Sequence, residues 1–141
     1  MIKQPKNRLT KQRKHILDVV KSVCYHPTAH QIHKLVIRKL PKISFGTVYR
    51  NLDVLSSQNL IRRIDIPGEP ARFDADIGSK AYFICKNKGT IYDLKIDKAE
   101  LDKILSDQPV VEKTDSFSLV VFGKSKSGHD DLTRRKGRLK K

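Results

Sequence analysis

Ile43-Ser44-Phe45-Gly46-Thr47-Val48-Tyr49-Arg50-Asn51-Leu52-Asp53-Val54-Leu55 reads as a capped helix with one apolar face. Ser44 stands just ahead of the apolar positions, where its hydroxyl can accept from an orphan backbone N–H of the first turn. Phe45, Val48, Leu52 and Leu55 recur at helical spacing and share a stripe. On a helical wheel Arg50 points almost directly away from that stripe, Gly46 and Thr47 flank it, and Tyr49 sits at its edge. Asn59 supplies a stop, because asparagine tolerates left-handed backbone.

Two more helices are expected upstream. Thr10 caps a run to about Cys24 whose inward positions are Ile16, Leu17, Val20, Val23 and Cys24, with Lys11, Arg13, Lys14 and Lys21 off the stripe. Thr28 followed by Gln31 makes a capping box. That helix runs to about Leu40, with Ala29, Ile32, Leu35, Val36 and Leu40 inward, and Pro41 ends it. Helix, helix, short turn, helix is the order of a helix-turn-helix unit. Downstream, Leu60–Ile66 and Ala71–Asp74 are short extended runs around Pro67-Gly68, which predicts a hairpin. A helix-turn-helix followed by a basic hairpin is a winged helix, with Arg62, Arg63 and Arg72 on or near the wing.

Residues 75–80 read as a linker into a second region. Tyr82–Cys85 is expected as a strand, Asn87–Gly89 as a turn and Thr90–Lys95 as a second strand. Asp97 caps a helix to about Leu105, and Ser116–Phe122 makes a third strand. Phe117, Leu119 and Val121 line one face of that third strand and Val120 and Phe122 the other, so burial on both faces is expected. A region of about 45 residues is too small to cover it alone. A second copy of the chain is the simplest cover. The expected class is therefore α+β, with a winged-helix DNA-binding domain over residues 1–76, a small α/β dimerisation domain over 77–123, and a basic tail over 124–141.

Charge sorts along the chain in the same way. The net charge is +15 over 141 residues. Residues 1–74 hold 15 Lys or Arg against 5 Asp or Glu, residues 75–122 hold 7 against 8, and residues 123–141 hold 8 against 2. Basic regions flanking a neutral middle point to a polyanion-binding module joined to a part with another task. Membrane association would need a basic amphipathic helix with large exposed apolar residues, and no run approaches the roughly 20 apolar residues of a membrane span. The first residues, Met1–Lys14, are basic with no apolar segment behind them, which argues against a secretory signal and for the cytoplasm. Cys24 and Cys85 are too few for a disulfide framework. No Ser-His-Asp set, phosphate loop or paired carboxylates suggest an enzyme. His26, His30 and His33 invite a metal reading, but a metal needs convergent ligands with a supporting shell, and His26 precedes the helix.

The order Arg8-Leu9-Thr10-Lys11-Gln12-Arg13, His15-Ile16-Leu17, His26-Pro27-Thr28-Ala29, Ile32, Ile43-Ser44, Thr47-Val48-Tyr49-Arg50-Asn51-Leu52, Gly68, Arg72-Phe73-Asp74, Ile84-Cys85, Gly89 and Asp93 resembles the ferric uptake regulator family, and in particular its peroxide-sensing branch. The likeness runs from about Arg8 to Gly123. It implies a homodimeric winged-helix repressor acting on double-stranded DNA. Base contacts are then expected from Tyr49 and Arg50, with Thr47 beside them. Phosphate contacts are expected from Lys11, Arg13 and Lys14, and wing contacts from Arg62 and Arg63.

Departures from the family pattern concern metals. Of two cysteine pairs that would close a structural zinc site, Cys85 remains, while the other positions fall on Lys88, Ser125 and Gly128. Structural zinc is therefore expected to be lost. Of the regulatory ligands, His26, Asp74 and Asp93 carry over, whereas two histidine positions fall on Lys80 and Tyr82. Weak binding of a divalent metal (iron, manganese or zinc) at this remnant is the most the set would support. Lys80 is expected to set its own charge near the carboxylates instead. Two other readings stand beside the specific regulator: an architectural DNA binder with little sequence preference, favoured by the two basic regions, and a redox switch in which Cys24 or Cys85 links subunits.

Overall fold

The computed structural model describes residues 9–86 and 88–126. The chain divides into two compact units between Ile77 and Gly78. The first holds α1 (Lys11–Ser22), α2 (Ala29–Val36), α3 (Phe45–Ser57), β1 (Arg62–Ile64) and β2 (Arg72–Asp74). The second holds β3 (Lys80–Cys85), β4 (Thr90–Leu94), α4 (Lys98–Ser106) and β5 (Ser118–Gly123).

The three helix starts are the ones the polar caps predict. Thr10 accepts from the Arg13 N–H and Ser44 from the Thr47 N–H, each at 3.1 Å. At α2 the box closes in both directions: the Gln31 N–H donates to Thr28 Oγ1, and the Thr28 N–H donates to Gln31 Oε1. Two helix ends fall short of the expectation. α1 stops at Ser22 rather than near Cys24, and α2 at Val36 rather than near Leu40. Past Val36 the chain tightens, with Arg38 N bonded to Leu35 O and Lys39 N to Val36 O. Such three-residue bonds do not propagate far, and Pro41 disfavours helical backbone at Leu40. α3 ends as expected. Asn59 has φ of 57°, its N–H reaches Ser56 O, and the Leu60 N–H reaches Leu55 O, the paired bonds of a Schellman cap.

Ile16, Val20, Ile32, Val36, Val48, Leu52, Leu55, Ile61 and Phe73 form one buried cluster, so the three helices and the hairpin share a core. β1 and β2 pair antiparallel with Arg63 opposite Phe73. β2 is also tied to the start of α2: the Phe73 N–H donates to Pro27 O at 2.9 Å.

In the second unit β3 is central, antiparallel to β4 and parallel to β5. Tyr82, Ile84 and Cys85 are buried. β5 begins at Ser118, two residues later than expected, and is not buried on both faces in the single chain: Val121 and Phe122 remain 38% and 40% exposed. α4 buries no residue. Gly123 closes β5 where a Cβ would stand 3.0 Å from the Phe83 ring, so a side chain there would require that ring to give way by a few tenths of an ångström.

Candidate nucleic-acid interface

The exposed face of α3 is built from its first turn. Ser44 Oγ lies 2.9 Å from Thr47 Oγ1, and Arg50 donates to Thr47 Oγ1 at 3.3 Å. Arg50 is exposed, while Val48 and Leu52 on the opposite face are fully buried. Tyr49 is half-buried, its ring 6.0 Å from that of Phe45. Phe45 is in turn stacked on His30 with centroids 4.1 Å apart.

Lys11 and Lys14 are exposed on α1. Arg13 is not equivalent to them. It is half-buried, and its Nε donates to Asn51 Oδ1 at 3.1 Å. Asn51 donates its own amide to Thr47 O at 3.0 Å. This buried asparagine thus fastens α1 to α3, a role the sequence reading missed. Its signal was a polar residue between Val48 and Leu52, close to an otherwise apolar stripe.

The hairpin arginines differ in the same way. Arg62 donates to Ile77 O at 3.3 Å. Arg72 turns away from the wing tip and donates to His26 O at 3.0 Å. Arg63 is held by three side chains: Asp65 at 2.9 Å, Asp53 at 3.2 Å and the Tyr49 hydroxyl at 3.2 Å. The hydrogen bond to Asp65, then that to Tyr49, pushes the Arg63 guanidinium further above its usual range, so it stays charged. Asp53 and Asp65 were also missed, although Asp53 is one turn from Tyr49 and Asp65 shares a strand face with Arg63.

His26, His30 and His33 do not converge on one another. His33 Nε2 is 3.0 Å from Ile43 O, His30 stacks on Phe45, and His26 Nε2 lies 3.6 Å from Asp74 Oδ2. In the second unit, Lys80 Nζ is 3.5 Å from Asp93 Oδ2. Tyr82 is fully buried. Cys85 is buried with its thiol 3.5 Å from Ser125 Oγ, and Lys88 is exposed in the following turn. Gly128 and the residues after it lie outside the described part, as does Asn87.

The profile of the Ferric uptake regulator family matches residues 5–120. The chain belongs to this family. Among its relatives is the Peroxide operon regulator of Bacillus subtilis, 35% identical over 92 residues, which are 65% of this chain and 63% of that protein. The chain thus spans under two thirds of the length of that curated relative. Two solved structures share the fold of this family member. The Campylobacter jejuni peroxide stress regulator matches with a TM-score of 0.69 and 23% identity, over 83% of this chain and 87% of that one. The ferric uptake regulator of Pseudomonas aeruginosa, solved with manganese, matches with a TM-score of 0.69 and 24% identity, over 84% and 90%. The α+β class and the winged helix followed by a second small domain are those of the ferric uptake regulators. Among the described residues no helix is long and apolar enough to cross a membrane.

Proposed function

We propose that this family member is a cytoplasmic transcriptional regulator, a repressor in the manner of its relatives, that reads double-stranded DNA as a homodimer. The observation carrying this reading is the exposed face of α3, where Arg50 stands opposite the buried Val48–Leu52–Leu55 stripe at the start of a helix followed by a hairpin wing. In winged helices this is the helix that enters the major groove. Arg50 would read a base edge or clamp a phosphate, Tyr49 and Thr47 would lie beside it, and Lys11 and Lys14 would hold phosphate.

Two substitutions separate readout from holding. Arg50→Ala should cost about 1–3 kcal/mol on a duplex selected by the wild-type protein and relax preference at one base pair. Lys11→Ala should weaken binding to every duplex alike and lower the salt slope by about 1 for each phosphate no longer neutralised, counted twice in a dimer. Titrations on selected and scrambled DNA at several salt concentrations measure both. Equal loss on both duplexes for Arg50→Ala would make it a phosphate contact and favour an architectural binder.

Metal control is reduced in this reading. A tetrahedral zinc centre needs four thiolate or imidazole donors. Cys85, Ser125 and Lys88 offer one thiol, one hydroxyl and one ammonium, a set that does not fit. Of the residues carried over for a regulatory cation, Asp93 already has a positive charge beside it, from Lys80 Nζ at 3.5 Å. Iron or manganese is best held by several imidazole and carboxylate ligands together, and the family positions at Lys80 and Tyr82 offer neither. Elemental analysis of purified protein should return less than one tightly held zinc per chain. A stoichiometric zinc that survives a chelator would overturn this part.

A further inference from the structure

We propose that Arg63 is a positioning residue for Tyr49, joining the wing to the helix that reads DNA, and not a phosphate contact. The proposal rests on the DNA-binding reading of α3 above.

A guanidinium offers five N–H donors in a rigid fork. Here Nε donates to Asp65 on the hairpin, and Nη1 is shared by Asp53 and the Tyr49 hydroxyl on α3. One side chain on β1 therefore grips both the residue just past its own strand and α3. The guanidinium carbon also lies 6.0 Å from the centroid of the Tyr49 ring, while the Phe45 ring stands 6.0 Å from it. Tyr49 thus has an aromatic neighbour and a cation within 6.0 Å of its ring, and its hydroxyl accepts from Arg63. Exposed ion pairs of this kind add little stability, so the network's consequence is geometric.

Charge points the same way. Arg63 sits between two carboxylates. A DNA phosphate approaching it would meet Asp53 and Asp65 as well, and their repulsion offsets the attraction. Among the described residues Arg50 has no such acidic partner. Lysine could replace the charge of Arg63 but not its fork, which makes the two roles separable.

The test uses full-length protein, a duplex selected by the wild type from a random pool, and a scrambled duplex, each titrated across salt concentrations. Arg63→Met should lower the ratio of selected to scrambled affinity about tenfold, the size of one mismatched base pair, with the salt slope unchanged. Arg63→Lys should not restore the ratio. In a Tyr49→Phe background, Arg63→Met should cause no further loss. Asp53→Asn, which loosens the grip without touching Arg63, should also lower the ratio. The proposal is overturned if Arg63→Met weakens both duplexes equally with a shallower salt slope, if Arg63→Lys restores binding, or if Asp53→Asn tightens binding to both duplexes. Failure of the wild type to bind any duplex would instead overturn the reading of α3 on which the proposal stands.

Discussion

Phe73→Ala is expected to destabilise the first unit by about 3–5 kcal/mol, the cost of a large buried ring replaced by a cavity. Phe73 is 1% exposed and belongs to the same cluster as Ile16, Val20, Ile32, Leu52 and Leu55. That cluster draws residues from all three helices, and a close-packed core of this kind does not collapse freely into a space left in it. The backbone aggravates the loss, since the Phe73 N–H holds Pro27 O just before the α2 capping box. Amide exchange at α1, α2 and α3 reads this locally. Protection there should fall by about two to three and a half orders of magnitude, since each 1.4 kcal/mol corresponds to about tenfold. Phe73→Leu should retain most of it. Unchanged protection in Phe73→Ala would mean the hairpin is not part of the helical core.

The second large effect concerns assembly. Phe122→Asp is expected to dissociate the proposed homodimer. Phe122 lies on β5 opposite Ile84 of the central strand, and is 40% exposed in the single chain beside Val121 at 38%. Contact with a second copy would dry this surface, and an unpaired carboxylate there costs several kcal/mol. About 4 kcal/mol corresponds to a thousandfold rise in Kd. Sedimentation in the presence of a chelator should find wild-type dimers at micromolar concentration, because apolar burial acts without a ligand. Phe122→Asp should sediment as monomers under the same conditions. A folded wild-type monomer would remove the dimer from the proposal.

Much of the first unit was legible because its signals are local. Thr10, Thr28 with Gln31, and Ser44 are caps whose partners lie three residues away, and the apolar stripes repeat at a fixed period. Asn59 and Pro67-Gly68 mark changes of direction within a few residues. The end of α2 was misread because the apolar pattern continues to Leu40 while the backbone bonds tighten from Arg38 onward. Periodicity does not report which carbonyl an N–H selects.

The second unit was legible as strands but not as a sheet. An apolar run says that β3 is buried, not that β5 lies parallel on its far side. The site was limited in the same way. Arg50 could be placed because a wheel needs only its own helix. Arg63, Arg72 and Arg13 could not, because Asp53, His26 O and Asn51 are 10, 46 and 38 residues away. All three looked like further basic residues until their partners were known.

The parallel pairing of β3 with β5 also dictates an order of events during synthesis. Lys80 pairs with Ser118 and Cys85 with Gly123, 38 residues apart in the chain. The β3–β4 hairpin can form as soon as β4 has left the ribosome, but the other edge of β3 must wait for α4 and β5 to be made. At ribosomal speeds of about 5–20 residues per second that interval is several seconds. During it the nascent chain presents Tyr82, Ile84 and an unpaired strand edge, the kind of template that recruits other chains. A ribosome stalled before Ser118 would hold that edge open, so β5 decides whether the chain pairs with itself or with a stranger.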